Sequence, residues 1–167
     1  TGGLPMPLRT EWPHLARMAA FELNALTATR AESLVGQQLV VVARDDAGKA
    51  LAATAVQHAG VLDALFAYDG TLGATVAADR SVSLRVWAPT ASRVRLVRFD
   101  SGLREVETLP MTRGARGTWS IDGPSAWYGS YYQYEVTVFH YVSNRVETVR
   151  TTDPYSVALS PNGVHSY

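Results

Sequence analysis

Ser81-Val82-Ser83-Leu84-Arg85-Val86-Trp87-Ala88 decides the fold. Val82, Leu84 and Val86 fall on one face and Ser83, Arg85 and Trp87 on the other, the period of two that a half-buried strand requires. Pro89 ends the run, because proline cannot donate to a ladder. Toward the C-terminus, residues 93–99 alternate in the same way and stop at Asp100-Ser101-Gly102, a hairpin signal. Two further strands, 104–109 and 117–121, flank a loop at 112–116. The longest strand spans 131–142, with Tyr132, Tyr134, Val136, Val138 and Val142 on one face, and its partner spans 145–151 beyond the turn Ser143-Asn144. Short strands with turn signals about every 8–12 residues predict an antiparallel, immunoglobulin-like β-sandwich of roughly 100 residues.

Working outward toward the N-terminus, residues 37–44 are rich in Val and Leu and end at the turn Asp45-Asp46-Ala47-Gly48. With residues 50–57 they form a hairpin over a loop of about four or five residues. Residues 61–68 fit a single helical turn or a strand, and residues 14–26 fit a helix or a half-buried strand. Residues 28–36 predict a short helix capped by Thr29, with Glu32 as its capping-box partner and Gly36 as its stop. Asp69-Gly70 and Leu72-Gly73 place a module boundary between residues 1–69 and 70–167. The fold class is mainly β, a sandwich preceded by a small, mostly β N-terminal segment.

The 167 residues are 47% hydrophobic and 18% charged, enough apolar material for a core. The length excludes a closed (β/α)8 barrel, which needs about 250 residues. Fifteen basic residues balance fifteen acidic ones, so no net field draws nucleic acid or an anionic membrane. Apolar runs such as 39–43 stop at five residues, far short of the roughly 20 that span a bilayer. Neither nucleic acid nor membrane is expected as a partner. With no cysteine there is no disulfide framework, thiol nucleophile or thiolate-ligated zinc. All basic residues except Lys49 are arginine. They scatter from Arg9 to Arg150 rather than clustering as a phosphate site needs, and are read as codon bias. Thr1-Gly2-Gly3-Leu4-Pro5 has neither an initiator Met nor a signal-peptide pattern. Val164-His165-Ser166-Tyr167 reads as a strand just begun. Both ends predict a fragment of a longer protein, and the compartment is not readable.

No motif for a nucleophile or a phosphate cradle is present. His14, His58, His140 and His165 lie too far apart in sequence to announce a metal site, and no cofactor is expected. Glu105 and Glu107 share a strand face, close to the separation of about 5 Å that a retaining glycosidase uses, but nothing nearby supplies a cleft, and an exposed edge is the reading. Aromatic residues are the informative set. Trp119, Trp127, Tyr128, Tyr131, Tyr132, Tyr134, Phe139, Tyr141 and Tyr155 crowd the last third of the chain. Exposed rings of this kind stack on the apolar faces of sugars, whereas buried ones fill a core. Tyr132 and Tyr134 share the face of Val136 and Val138 and are assigned to the core.

Leu84-Arg85-Val86-Trp87-Ala88-Pro89-Thr90-Ala91, then Gly117-Thr118-Trp119-Ser120, Tyr131-Tyr132-Gln133-Tyr134 and Thr152-Asp153-Pro154-Tyr155, resemble in order the family 48 carbohydrate-binding module that precedes the catalytic barrel of family 13 starch-debranching enzymes. Gly60-Val61-Leu62-Asp63-Ala64-Leu65-Phe66-Ala67-Tyr68 with Leu72-Gly73 resembles the junction upstream of that module in pullulanases and limit dextrinases. The resemblance covers nearly all of residues 12–167. It implies a non-catalytic N-terminal part of an enzyme acting on α-1,6 branch linkages. Its implied partners are an α-glucan (pullulan, amylopectin or limit dextrin) and a missing C-terminal catalytic domain. No catalytic residue is assigned. Bacterial pullulanases are often secreted, while related enzymes stay in cells or plastids. In glucan-binding members, tryptophans in two loops grip the sugar. Here those loops read Phe99-Asp100-Ser101-Gly102 and Tyr141-Val142-Ser143-Asn144, with no tryptophan. The candidate sugar contacts are Trp127, Tyr128 and Tyr141. Trp87, Asp153 and Tyr155 match residues that pack structurally and set the module against its neighbours. The alternative is a purely structural or protein-interaction sandwich without carbohydrate binding.

Overall fold

The computed structural model describes residues 2–21 and 30–167. The chain divides into two units, Thr1–Glu32 and Ser33–Tyr167. In the first, strand β1 (Gly2–Gly3) pairs antiparallel with β2 (Ala19–Ala20), and helix α1 (Met6–Glu11) and a 3₁₀ turn at Pro13–Leu15 lie between them in sequence. Residues 14–21 are thus partly a 3₁₀ turn and partly strand, and the remainder of the ambiguous 14–26 stretch lies outside the described residues. So does Thr29, the expected cap. The helix it was to start, α2, is only Ala31–Leu34.

In the second unit, β3 (Val40–Arg44) and β4 (Ala50–Ala55) form the expected hairpin, with Val40 opposite Ala55 and Arg44 opposite Ala50. Its turn is held by Asp45, whose carboxylate accepts the N–H groups of Ala47 and Lys49 at 3.0 and 2.9 Å, the self-bonding that favours Asp in turns. The ambiguous 61–68 stretch resolves as helix α3, Ala59–Phe66.

Eight strands follow: β5 (Gly73–Val76), β6 (Val82–Trp87), β7 (Ala91–Phe99), β8 (Glu105–Pro110), β9 (Thr112–Arg113), β10 (Thr118–Gly123), β11 (Tyr131–His140) and β12 (Arg145–Thr151). They form two four-stranded antiparallel sheets, β5-β6-β10-β9 and β12-β11-β7-β8. The two sheets face each other over one core. Val82, Leu84, Val86 and Trp119 come from the first and Val94, Leu96, Tyr132 and Tyr134 from the second, joined by Met111. The inward residues are those the alternation selects. The Trp119 indole N–H, buried with its ring, donates to the Ala88 carbonyl at 3.1 Å.

Two expectations need correction. Leu72-Gly73 reads as punctuation and residues 74–76 carry no strand expectation, yet Gly73–Val76 pairs with β6 as an edge strand. Only Gly73 of it is buried, so it carries no alternating pattern to detect. The long strand ends at His140 rather than at 142, and Val142 does not face the core: Tyr141 and Val142 lie in the turn to β12, and Val142 is exposed. Asn144, at φ 55°, takes the left-handed conformation that such a reversal needs.

Candidate functional site

Asp153 is the centre of a buried polar cluster. It is 4% exposed. Its Oδ2 accepts the hydroxyl protons of Tyr132 at 2.8 Å and Tyr134 at 3.1 Å, and its Oδ1 accepts the Tyr155 N–H at 2.8 Å. Its own N–H donates to Ser166 Oγ at 2.8 Å. Burial first, and then the neighbouring carboxylate, push the phenols of Tyr132 and Tyr134 far above their ordinary value. Each therefore stays protonated and donating. The cluster ties the C-terminal segment to the sheet. Ser166 exchanges two backbone hydrogen bonds with Tyr132 at 2.9 Å each, continuing the sheet where β12 has ended. The His165 ring packs edge-on against Phe99 at 4.4 Å.

Trp87 ties the other side. Its indole N–H is shared between the carbonyls of Phe66, at 2.9 Å, and Arg116, at 3.1 Å, joining the end of α3 to the β9–β10 connection. Gly117 sits in that connection at φ +72°, and a Cβ there would meet Pro89 Cβ at 2.5 Å and Phe66 Cδ1 at 3.1 Å. Only glycine suits both demands. Arg85 adds a hydrogen bond to the Tyr68 hydroxyl at 2.9 Å.

The three candidate sugar contacts do not converge. Trp127 ends a 3₁₀ turn, Ser125–Trp127, and is half-buried against the core, with the Arg98 guanidinium 4.9 Å over its ring. Tyr128 is 54% exposed, with Arg80 5.5 Å over its ring. Together with Val82, Leu84, Val157 and Tyr167 they line an apolar cavity of about 330 Å³. Arg98, in its wall, pairs with Glu107 and bonds Ser130 Oγ at 3.3 Å. Tyr141 is 83% exposed and lies past the opposite end of β11. Ten strand residues separate the two places, about 30 Å at the usual rise. No single short oligosaccharide bridges both.

Tyr141 instead lines a cleft of about 830 Å³ between α3, the β3–β4 hairpin and the end of β11. Gln38 donates to Asn144 Oδ1 at 2.6 Å across 106 residues of sequence, closing one side of it. Nothing local in the sequence announces this cleft, because its walls come from opposite halves of the chain. Glu105 and Glu107 line neither of these two cavities: Glu105 binds Arg150 at 2.8 Å and Glu107 binds Arg98. Arg150 also reaches Glu135, which Arg95 meets from the other side at 3.1 Å, so arginines that scatter in sequence converge on one face of the second sheet. Among the described residues no group of three or more His, Cys, Asp or Glu is placed to hold a metal ion.

Comparison with known proteins matches residues 1–64 to the pullulanase N2 domain and residues 71–156 to carbohydrate-binding module 48 (isoamylase N-terminal domain). The chain is 38% identical over 165 residues to "Pullulanase 1, chloroplastic" of Arabidopsis thaliana, covering 98% of this chain and 17% of that protein. It is 41% identical over 159 residues to the pullulanase of Klebsiella pneumoniae, covering 93% of this chain and 14% of that protein. Among solved structures, Klebsiella pneumoniae pullulanase complexed with maltotriose superposes with a TM-score of 0.89 at 37% identity, over 99% of this chain and 16% of that one. The chain thus spans about a sixth of the length of these relatives. A match over more than half its residues, on strands and buried positions already described, places it by descent: the chain belongs to the carbohydrate-binding module 48 (isoamylase N-terminal domain) family.

Proposed function

We propose that the chain is a non-catalytic N-terminal part of an enzyme that hydrolyses α-1,6 linkages in pullulan, amylopectin and limit dextrins. Residues 1–69 and 70–167 are its successive modules. They support the catalytic domain and bind α-glucan weakly. The observation that carries the supporting role is the C-terminal segment. Asp153 and Ser166 pin it from beneath, and from it Val157, which is 99% exposed, project outward together with Leu159, Val164 and Tyr167. A held backbone bearing a run of exposed apolar side chains marks an interaction surface. Tyr155, 3.1 Å from where a Gly73 Cβ would stand, joins this segment to β5. Trp87 and Asp153 act from within the module and Tyr155 at its border.

The supporting role is tested in the longer enzyme. Val157→Asp lowers the melting temperature of the catalytic domain, and an unchanged melt overturns the role. The purified 167-residue chain releases no reducing ends from pullulan, and measurable release would assign catalysis to it. In native gels containing amylopectin the chain migrates with slight retardation. Unretarded migration overturns the weak glucan binding and leaves the supporting role alone.

A further inference from the structure

We infer that the apolar cavity beside Trp127 and Tyr128 is a binding site for a small amphipathic carboxylate, an apolar body carrying one anionic head. The inference is independent of the glucan binding proposed above. The cavity holds about 330 Å³, at the lower end of the range of about 300–1,000 Å³ usual for small-ligand sites. Val76, Val82, Leu84 and Val157 supply aliphatic walls, flanked by the rings of Trp127 and Tyr128. Such a lining offers water few partners and favours an apolar occupant. Among the described residues no Asp or Glu lines it, so no carboxylate of the wall repels an anion. Val157 forms one lip, which puts the ligand at the border of the surface proposed to meet the catalytic domain.

Two arginines decide the charge of the ligand. Arg98 lies in the wall, paired with Glu107 and bonded to Ser130 Oγ at 3.3 Å. Its Nε is buried without an acceptor, so the wall keeps positive character although the pair is formally neutral. Arg80 sits in the turn between β5 and β6. The ends of that turn, Val76 and Val82, pair with each other and both line the cavity. The Arg80 guanidinium stands 5.5 Å over the Tyr128 ring, and no carboxylate among the described residues pairs with it. The adjacent Asp79 is turned to Ser81 instead, accepting its N–H at 2.9 Å and its hydroxyl at 2.7 Å. A guanidinium is a planar fork that matches a carboxylate. Arg80 also holds φ 66°, in the left-handed region that favours glycine. An arginine at such a position points to a use for its side chain.

The experiment titrates the 167-residue chain with octanoate, octanol and octylamine, all below micellar concentrations, by calorimetry and by tryptophan fluorescence, since Trp127 lies in the wall. Octanoate binds. Octanol binds roughly tenfold more weakly, the loss of one charge-assisted contact, and octylammonium binds more weakly again. Arg80→Gln brings octanoate down to the octanol level and leaves octanol unchanged. That variant keeps most of the side-chain stem on an exposed turn, and its melting temperature checks the fold. Ala74→Phe, which fills the cavity from β5, abolishes binding of both octanoate and octanol. No octanoate signal in the wild type, or octanoate binding retained in Ala74→Phe, overturns the site. Equal affinities for octanoate and octanol, or an unchanged octanoate affinity in Arg80→Gln, overturn the anionic class. Displacement of octanoate by maltoheptaose also overturns the inference, because the occupant is then a sugar.

Discussion

The two ends of β11 carry the same residue type to opposite fates. At its start, Tyr132 and Tyr134 point between the sheets, are 5% and 0% exposed, and share one carboxylate, Asp153. Past its end, Tyr141 stands open on a turn, its ring stacked on His140. The start is held by residues that follow in sequence, 153–167. The far end meets residues 35–62 that precede the sandwich. A tyrosine is core where the facing sheet covers it and its hydroxyl has a partner, and exposed where neither holds. One end of the strand is tied into the core and the other stands open beside a cleft.

The contrast is broken most sharply at Asp153. Asp153→Ala leaves two buried hydroxyls without an acceptor and is expected to cost about 2–4 kcal/mol, read as a lower midpoint in urea unfolding. Asp153→Asn keeps an acceptor and costs less. A midpoint equal to wild type for Asp153→Ala would mean that water satisfies both phenols and that the start of β11 is no more anchored than its end. Next in size is Gly117→Ala, expected at about 2 kcal/mol from left-handed backbone plus collision with Pro89. Trp87→Phe follows, at about 1 kcal/mol for the lost indole hydrogen bonds. Its signature is local: hydrogen exchange should quicken in 59–66 while β6 and β10 stay protected. Uniform quickening would show that α3 is not a separable addition to the sandwich.

Most strands were legible because Val82, Leu84, Val86, Val94 and Leu96 alternate, and the pleat turns that period directly into one buried face. Tyr132 and Tyr134 were legible as core by the same rule. Gly73–Val76 was not, since an edge strand with three of four residues exposed imposes no pattern on its sequence. The helix at Ala59–Phe66 stayed ambiguous because a short apolar run fits either period. Trp127, Tyr128 and Tyr141 share aromatic character outside the core pattern, but they flank the two ends of β11, so residue type groups what the strand holds apart. The cleft at Tyr141 depends on contacts spanning about a hundred residues, such as Gln38 with Asn144, which no local period encodes.

The smallest effect separates buried from exposed carboxylates. Hydrogen bonding from Arg150, then from Thr108, holds the Glu105 carboxyl below its ordinary value. A depressed acid adds stability that is fully present above its unfolded value, about 4.3, and is lost as pH falls through the folded one. Glu105 and Arg150 are each more than two-fifths exposed, so solvent screens the pair and the contribution stays well under about 1 kcal/mol. Glu105→Gln should therefore be nearly as stable as wild type at neutral pH, and the small difference should fade as pH falls through the folded value of Glu105 and shrink in about 1 M salt. An Asp153→Ala deficit should persist in the same salt, since it arises from unpartnered buried hydroxyls rather than from a screened charge. If salt erased both deficits alike, the start of β11 would be held by long-range charge, and the distinction between its two ends would lose its physical basis.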